Sequence, residues 1–195
     1  MFKDKRVSIV IPTLNEEENL AIVLDSLNEY IDEIIIVDGH SQDKTVEIAG
    51  KKGCKILYDD KGKGSALIKG MNEANGDIVI IMDADCSHIP NELIFLIAGI
   101  DAGYDICMGS RFIQGGGSDD MSLIRKIGNG FFVFLVNLFW SMNYSDLCYG
   151  YRSFRKDIIK SLKLTEVGFG IETEISIKAA KGGLKIVEVP SYEKK

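Results

Sequence analysis

Short apolar runs rich in β-branched residues alternate with segments of helical periodicity through the first 110 residues. The strongest runs are 7–11, 34–37 and 78–82. An unbroken apolar run of this length is typical of a strand that is buried on both faces of a parallel sheet. Parallel neighbours need a crossover connection, and the periodic segments between the runs are long enough to supply helices. The sequence therefore predicts an α/β fold with a mainly parallel sheet and helices on both faces.

The remaining elements follow from capping, turn and periodicity signals. Pro12 is expected to stop the first strand, and Asn15 to cap a helix over 20–31, with Glu18 three residues on. Further helices are predicted over 45–52, 65–74 and 170–181, with a long helix through Phe131 and Trp140, and further strands over 55–58 and 185–189. A short segment over 151–155 is left without an assigned type. The glycine-rich stretch 114–120 predicts a mobile loop.

Composition narrows the class of protein. With 195 residues, 46% of them hydrophobic and 27% charged, the chain fits one globular domain, 1–195. A net charge of −6 argues against a nonspecific nucleic-acid partner, which needs a basic surface. The four cysteines are widely spaced without a CxxC pair, which favours free thiols in a reducing cytoplasm over a zinc site.

The N-terminus and the apolar runs indicate how the chain relates to a membrane. No cleavable signal is visible at the N-terminus. The longest apolar run, 131–140, is about half of the roughly 20 residues that span a bilayer. We therefore expect that the chain does not itself cross a membrane.

Polar residues follow three predicted strands at the point where each strand ends, at 13–16, 38–43 and 83–87. Ligands of an open parallel sheet bind beyond the carboxyl ends of its strands, so these clusters are expected to line one crevice. The carboxylates of Asp83 and Asp85 follow a buried strand, where they are costly without a cation, and a hard divalent ion prefers such oxygen ligands. An Asp-x-Asp pair alone usually marks a turn or cap. The convergence of three acidic strand ends favours a metal-diphosphate site instead.

Two further features fit a nucleotide ligand. Asp38 can accept the ring N–H of a nucleobase, or it can cap the following helix. The segment 61–64 (KGKG) opens a predicted helix, so backbone N–H groups and its lysines can face a phosphate. Its spacing is not that of a P-loop, and such a turn by itself is more often a solvated loop.

Several motifs, in order along the chain, resemble those of family 2 glycosyltransferases of the GT-A fold. They are 10–16 (VIPTLNE), 37–45 (VDGHSQDKT), 62–64 (GKG) and 82–85 (MDAD). Further on, the polyprenyl-phosphate branch of the family is resembled at 109–112 (GSRF), 125–127 (RKI), 145–147 (SDL), 151–155 (YRSFR) and 169–172 (FGIE). That branch includes dolichol-phosphate mannose synthases. The resemblance covers nearly the whole chain and is specific for the family, but much less so for the sugar.

The resemblance implies an inverting, metal-dependent transfer of a sugar from a nucleotide-diphosphate sugar to a polyprenyl (dolichyl) phosphate. It assigns 1–112 to the nucleotide sugar and 113–195 to the acceptor. The implied nucleotide-sugar contacts are Pro12, Leu14, Glu16, Val37, Asp38, Lys63, Asp83, Ala84, Asp85 and Arg111. The implied metal, Mg²⁺ or Mn²⁺, is expected on Asp85 and Ser87, with Asp83 at the ribose or acting through water. The implied catalytic group is Asp85, Arg111, Arg125 and Glu172, with Arg125 at the acceptor phosphate and Glu172 near the sugar and metal.

Two departures from the family pattern bear on these roles. Many members carry two aspartates where this chain has Asp38 and Gly39, which weakens the expected base contact. Ser87 replaces a longer side chain of some members, which can pass that metal position to water.

The acceptor side follows from its charge. A phosphate acceptor is already an anion, so metal and arginine, rather than a strong base, are expected to supply most of the catalysis. The candidate cations are Arg111, Arg125, Arg152 and Arg155, although a solvated surface is an equally good interpretation of the last two. The run 131–140 is either core or a helix that lies at a bilayer interface. A lipid acceptor favours the interface, and with it a peripheral enzyme on the cytoplasmic face of a membrane.

Three alternatives compete with this interpretation. A family 2 enzyme with a saccharide or protein acceptor needs a general base, for which Glu172 or Glu174 is available. A sugar nucleotidyltransferase is disfavoured because its glycine-rich, basic signature near the N-terminus is absent. A non-catalytic sugar-nucleotide-binding protein does not need the metal and phosphate contacts that this chain retains.

Two aspects of the substrate and the chain stay open at this stage. GDP-mannose, UDP-glucose and UDP-N-acetylglucosamine all fit the motifs, with GDP-mannose the most frequent in the family. The sequence ends at Lys195, where the resemblance implies a basic loop, so we expect a C-terminal continuation.

Overall fold

The computed structural model describes residues 2–27 and 29–195. Its strands are β1 (Val7–Thr13), β2 (Glu33–Asp38), β3 (Lys55–Tyr58), β4 (Ile78–Ile81), β5 (Ile106–Ser110), β6 (Gly117–Ser118), β7 (Arg152–Arg155), β8 (Ile186–Pro190) and β9 (Tyr192–Glu193). The α-helices are α1 (Leu20–Ser26), α2 (Thr45–Lys51), α3 (Lys63–Glu73), α4 (Leu93–Asp101), α5 (Leu123–Trp140) and α6 (Ile171–Lys181), and short 3₁₀ segments cover Pro90–Glu92 and Lys156–Leu162.

Seven strands form one sheet in the order β3-β2-β1-β4-β7-β5-β8. Every neighbouring pair is parallel except the two that involve β7, which runs antiparallel to both β4 and β5. The predicted α/β fold is confirmed. The sheet is mixed because a strand from the second half of the chain is inserted between two strands of the first half.

The core lies in two layers, one on each face of the sheet. Alternate residues of β1 serve the two layers, with Ile9 and Ile11 in one and Val10 in the other. The layer around Ile9 contains buried residues of α1, α2 and α4, whereas the layer around Val10 contains those of α3, α5 and α6. Helices therefore cover both faces, as the apolar strands require.

Helix α3 packs directly on the sheet at Gly70. A Cβ atom at this position would lie only 2.3 Å from Val10 Cγ1 and 2.9 Å from Val37 Cγ2. The missing side chain lets the helix approach β1 and β2 closely. Since α3 connects β3 to the parallel strand β4, its N-terminus at Lys63 comes to the carboxyl edge of the sheet.

The first loop corrects two predictions. Strand β1 continues through Pro12 to Thr13, because β4 pairs with β1 only as far as Val10 and so needs no N–H from the proline. Helix α1 begins at Leu20 rather than after Asn15, and it ends at Ser26. Asn15 has a positive φ of 56° and accepts a hydrogen bond from the Gln42 N–H at 2.8 Å, so it joins two loops instead of capping the helix.

The glycine-rich stretch 114–120 was expected to form a loop, and part of it is a strand. Gly117 and Ser118 pair in parallel with Tyr192 and Glu193 near the end of the chain. This small sheet, β6-β9, lies beside the carboxyl edge of the main sheet, since the Lys194 N–H donates to the carbonyl of Ser87 at 2.9 Å.

Arg152 is fully buried, which contradicts its prediction as a charge for the ligand. Its guanidinium donates to the carbonyl oxygens of Tyr149, Glu172 and Leu147 and to Ser176 Oγ, all at 2.8–2.9 Å. The side chain joins β7 to the start of α6. Arg155, at the other end of the same strand, pairs with Asp105 and Asp157 at the surface. Neither arginine lines the cavity described below.

We predict that Arg152→Met lowers the free energy of unfolding by at least about 3 kcal/mol, because three buried carbonyl oxygens lose their donor. Urea denaturation followed by circular dichroism measures the loss. Arg155→Met is the matched control on the same strand, and its exposed side chain should contribute little. A loss for Arg152→Met that is no larger than that of the control would contradict the structural role.

Candidate active site

A cavity of about 790 Å³ opens at the carboxyl edge of the sheet. Most of the predicted ligand-binding and catalytic residues line it, namely Pro12, Leu14, Glu16, Val37, Lys63, Asp83, Ala84, Asp85, Arg111, Arg125 and Glu172. The three strand ends do converge on one crevice. Its volume is typical of a site for a small molecule or cofactor.

Lys63 lies between two carboxylates at the floor of the cavity. Its ammonium is 2.8 Å from Asp83 Oδ1 and 3.0 Å from Glu172 Oε1. Burial alone would lower the pKa of Lys63, but the charges of Asp83 and Glu172 outweigh it and raise that pKa. Burial likewise favours a higher pKa for Asp83, yet the charge and hydrogen bond of Lys63 hold the pKa of that carboxyl below its usual range. The three side chains form an ionised cluster that joins α3, the end of β4 and the start of α6.

Within the described part of the chain, Asp85 differs from Asp83 in having no ion pair. Its side chain is exposed at the cavity, and one oxygen accepts the Ser87 N–H at 3.0 Å. No group of three or more His, Cys, Asp or Glu side chains in the described residues is arranged to hold a metal ion. Mg²⁺ is commonly bound through one or two carboxylates plus substrate phosphates and water, so the exposed carboxylate of Asp85 fits a metal that arrives with a diphosphate. Ser87 is not among the residues that line the cavity, and its metal contact stays a prediction.

Asp38 is fully buried behind the wall of the cavity rather than in it. Its carboxylate accepts hydrogen bonds from Thr13 Oγ1 at 3.0 Å, from Ser41 Oγ at 2.6 Å and from the Ser41 N–H at 2.8 Å. The carboxylate therefore holds the end of β1 to the loop after β2. Asp59, Asp60 and Gly39 line the cavity, whereas the base contact of Asp38 stays a prediction.

Arg111 is held by two carboxylates at the wall of the cavity. It forms a bidentate pair with Asp146, with Nε–Oδ2 at 2.7 Å and Nη2–Oδ1 at 3.0 Å, and its Nη1 lies 3.1 Å from both oxygens of Glu193. The ring of Tyr149 lies 4.8 Å from the guanidinium carbon. Burial would lower the pKa of Arg111, but the hydrogen bonds and charges of Asp146 and Glu193 raise it. The predicted phosphate contact thus starts from an arginine that is already paired.

Arg125 is the accessible arginine among the lining residues. It stands on the first turns of α5, with its side chain 60% exposed, and it forms an ion pair with the exposed Asp120 at 2.8 Å. Such a surface pair is weak and exchanges readily with another anion.

Helix α5 is attached to the domain along one narrow stripe. Asn129 bonds the backbone of Ser145 and Leu147, Asn137 bonds both backbone groups of Tyr144, and Val136 enters the core. The other side is open to solvent, and its exposed apolar residues are Leu123, Ile124, Ile127, Phe131, Phe132, Phe134, Leu138 and Phe139. The interpretation of 131–140 as plain core is therefore wrong for most of the run.

Helix α5 is also longer than the apolar run 131–140, on which the expectation that the chain does not cross a membrane was based. With 18 residues and a mean hydropathy of 1.3, Leu123–Trp140 is long and apolar enough to cross a bilayer on length and composition alone, and 11% of it is buried. It is the one such helix in ranges 2–27 and 29–195.

The expected free state of the cysteines is confirmed for all four.

Among the lining residues that were not predicted from the sequence are His88, Tyr149 and Glu193. His88 follows the Asp-x-Asp pair and accepts the Asp83 N–H on Nδ1 at 3.1 Å. The proximity of a polar ring to the acidic strand end was the signal that identifies it. Tyr149 and Glu193 lie far along the chain from the strand ends, and no local pattern marks them.

The fold and these motifs agree with known proteins. Residues 8–163 match Glycosyl transferase family 2. The chain is 35% identical to a dolichol-phosphate mannosyltransferase of Pyrococcus furiosus, over 95% of this chain and 55% of that protein. It is 30% identical to an undecaprenyl-phosphate mannosyltransferase of Micrococcus luteus, over 95% of this chain and 82% of that protein. The chain thus spans little more than half the length of the Pyrococcus relative.

Solved structures agree on the fold. Glucosyl-3-phosphoglycerate synthase of Mycobacterium tuberculosis, in complex with Mg²⁺ and uridine diphosphate, superposes with a TM-score of 0.78 at 20% identity. The match covers 97% of this chain and 70% of that one. The expected GT-A fold is confirmed.

We predict that Lys63→Met destabilises the protein by about 1–3 kcal/mol at neutral pH, because two partly buried carboxylates lose their counter-ion. The pair contributes fully between pH 3.8 and 10.5, the ordinary pKa values of Asp83 and Lys63, since the folded pKa values lie outside these limits. Without the ammonium, burial raises the pKa of Asp83, so the variant should recover stability on acidification as that carboxyl takes a proton. Urea denaturation at neutral pH and near pH 4 measures the difference.

Lys61→Met is the matched control for this prediction, because Lys61 is exposed two residues before Lys63. Its stability should follow that of the unaltered protein at both pH values. An equal loss for Lys63→Met at both pH values would assign the effect to packing rather than to charge.

Proposed function

Because the chain belongs to Glycosyl transferase family 2, we propose that it transfers a sugar, with inversion, from a nucleotide-diphosphate sugar to a polyprenyl phosphate, with the help of Mg²⁺ or Mn²⁺. One observation carries the proposal. The cavity is lined both by Asp83 and Asp85, which follow β4, and by Arg125 and Phe132 of α5, whose outer face is apolar and exposed. A polar donor site and an apolar surface therefore share one opening.

The donor end suits a nucleotide diphosphate. Pro12, Leu14 and Val37 supply apolar wall for a nucleoside, and Asp85 supplies the free carboxylate for a metal ion that the diphosphate brings. Bound there, the metal would neutralise the charge that develops on the departing diphosphate. Lys63 adds a fixed cation close to Asp83 and Glu172. This arrangement stabilises a leaving group without any proton transfer.

The acceptor end suits a phosphate better than a hydroxyl. Arg125 presents an accessible guanidinium, which recognises phosphate well. A hydroxyl acceptor would need a general base. The two candidates from the sequence, Glu172 and Glu174, are both held in other contacts. Glu172 pairs with Lys63, and Glu174 lies outside the cavity. Burial would raise the pKa of Glu174, but hydrogen bonds from Lys178 and the 165–166 loop lower it to about 2. A saccharide or protein acceptor is thus the weaker candidate.

The exposed face of α5 suits a membrane surface. Phenylalanine and leucine partition into the interface between headgroups and acyl chains, and a docked amphipathic helix lies in that plane. Asn129 and Asn137 hold one side of α5 to the domain, so the exposed apolar side of the helix turns away from the protein. Peripheral binding at the cytoplasmic face would bring the phosphate of a membrane lipid to Arg125.

The nucleotide and sugar are the most variable part of the proposal. The two relatives are named as mannosyltransferases, whereas the solved neighbour holds uridine diphosphate. GDP-mannose, UDP-glucose and UDP-N-acetylglucosamine are the donors to compare. A bound ligand raises the melting temperature, so a thermal-shift series of these donors with Mn²⁺ ranks them.

Transfer itself is tested with labelled donors, Mn²⁺ and a polyprenyl phosphate in phospholipid vesicles. We expect label in the lipid extract with the phosphorylated lipid and none with the free polyprenol. Donor binding without transfer to any acceptor would instead indicate a non-catalytic binding protein. Transfer to a soluble sugar or peptide would favour the alternative acceptor class.

We predict that Asp85→Ala weakens the Mn²⁺-dependent binding of GDP or UDP at least about tenfold and leaves the fold intact, because the free metal-binding carboxylate is lost. Calorimetric titrations with and without Mn²⁺ measure the effect. The control is Asp25→Ala, an exposed carboxylate on α1 remote from the cavity. An unchanged metal dependence in Asp85→Ala would remove this residue from the metal site.

We predict that Phe131→Glu combined with Phe134→Glu weakens binding to phosphatidylglycerol vesicles about tenfold or more, since both rings are over half exposed on α5. Vesicle co-sedimentation measures binding, and circular dichroism checks the fold. Ile22→Glu is the control, because Ile22 is 61% exposed on α1. Unfolding of the double variant would identify the face as core, and loss of a dimer in sedimentation would identify it as a contact between two copies.

A further inference from the structure

His88 is a polar ring locked in one orientation at the wall of the cavity. Its side chain is 3% exposed. The ring stacks on Tyr151 with centroids 4.6 Å apart and an angle of 4° between planes, and Tyr149 meets it edge-on at 4.9 Å. A ring held between two aromatic neighbours in this way cannot turn without moving both.

The hydrogen bond from the protein backbone fixes where the ring carries its proton. Nδ1 accepts the N–H of Asp83 at 3.1 Å, so Nδ1 has a free lone pair. A neutral imidazole has one donor and one acceptor nitrogen. The proton must therefore reside on Nε2.

Nε2 is the part of the ring that is free to meet a ligand. No hydrogen bond from it is found within 2–27 and 29–195, although the charges of Asp83, Asp85 and Glu193 act on the ring. In that same part of the chain, every side-chain nitrogen or oxygen that is shielded from solvent has a hydrogen-bond partner. Nε2 must accordingly be open to the cavity that the residue lines. A fixed N–H donor at a cavity wall is preorganised for an anionic oxygen, and the bond to an ionised acceptor is the stronger kind.

We propose that His88 is a diphosphate-binding residue, which holds the backbone of Asp83 through Nδ1 and donates Nε2–H to an oxygen of the nucleotide diphosphate. The inference rests on the proposed function, because the ligand is the diphosphate of the donor. It adds a neutral donor to a site whose cations are otherwise paired with carboxylates. It also couples the two contacts, since the ring that binds the diphosphate is oriented by the residue that begins the Asp-x-Asp pair.

Two substitutions separate the two nitrogen atoms. In His88→Asn, the side-chain oxygen can occupy the place of Nδ1 and accept the Asp83 N–H, but the donor at Nε2 is absent. In His88→Gln, the side-chain amide can occupy the place of Nε2 and donate to the ligand, but the acceptor at Nδ1 is lost. Calorimetry then compares GDP and UDP with their monophosphates, in the presence of Mg²⁺, for both variants and the unaltered protein.

We expect His88→Asn to bind the diphosphates about 10- to 100-fold more weakly, as the loss of a hydrogen bond to a charged group implies, with a smaller loss for the monophosphates. His88→Gln should recover most of the affinity. Full affinity in His88→Asn, or equal losses in the two variants, would overturn the role of Nε2. A structural role alone predicts equal losses for mono- and diphosphates.

Nitrogen-15 spectra of the imidazoles supply a direct readout, because the chain has two histidines. His40 is the internal control, being exposed and outside the cavity, where it stacks on Tyr58. We expect His88 to carry its proton on Nε2 and to shift when UDP or GDP is added with Mg²⁺, while His40 does not shift. A proton on Nδ1 would overturn the proposal. If the unaltered protein bound neither diphosphate, the proposed function would fail, whereas binding that His88→Asn retains would remove only His88 from it.

Discussion

The cavity depends on one ammonium group. Lys63 lies between Asp83, which follows a central strand, and Glu172, which begins the last helix, so a single cation neutralises carboxylates from both halves of the chain. Without it, two carboxylates would face each other in a partly buried space. The close contact of α3 with the sheet at Gly70 is what brings this ammonium to the floor of the site. The arrangement also explains why two aspartates only two positions apart differ, because Asp83 is paired and Asp85 is free for another cation.

The arginines divide into fixed and accessible charges by the same logic. Arg152 is wholly internal, and Arg111 is held at the wall by two carboxylates and an aromatic ring. These contacts hold both guanidinium groups in place, so the two arginines support the structure around the site. Arg125 stands on an exposed helix turn, where it forms a weak surface pair with Asp120. Buried ion pairs thus keep the shape of the site, and the exposed guanidinium of Arg125 is available to an incoming anion.

The sequence predicts what is local and misses what is made by distant contacts. Alternating apolar runs and helical segments identify the α/β fold, and the acidic residues after β1, β2 and β4 identify the edge of the sheet where the cavity lies. The partners of Asp38 and the burial of Arg152 depend on side chains and carbonyl groups from separate loops, which no spacing encodes. Glu193 reaches Arg111 from the far end of the chain. The exposure of α5 is likewise decided by packing, since its composition fits both a core helix and a surface helix.

Strand β7 makes the order in which the chain is synthesised matter. It fills the gap between β4 and β5 and is the only strand that joins β5 and β8 to the others in the described residues. During synthesis, β1 to β5 therefore leave the ribosome before β7, the strand that lies between β4 and β5. At about 5–20 residues per second, the unpaired edge of β4 waits for seconds until residues 152–155 emerge. A cut near residue 112 would divide the sequence at a glycine-rich loop and yet leave neither piece with a complete sheet. Residues 1–112 and 113–195 thus form one folding unit.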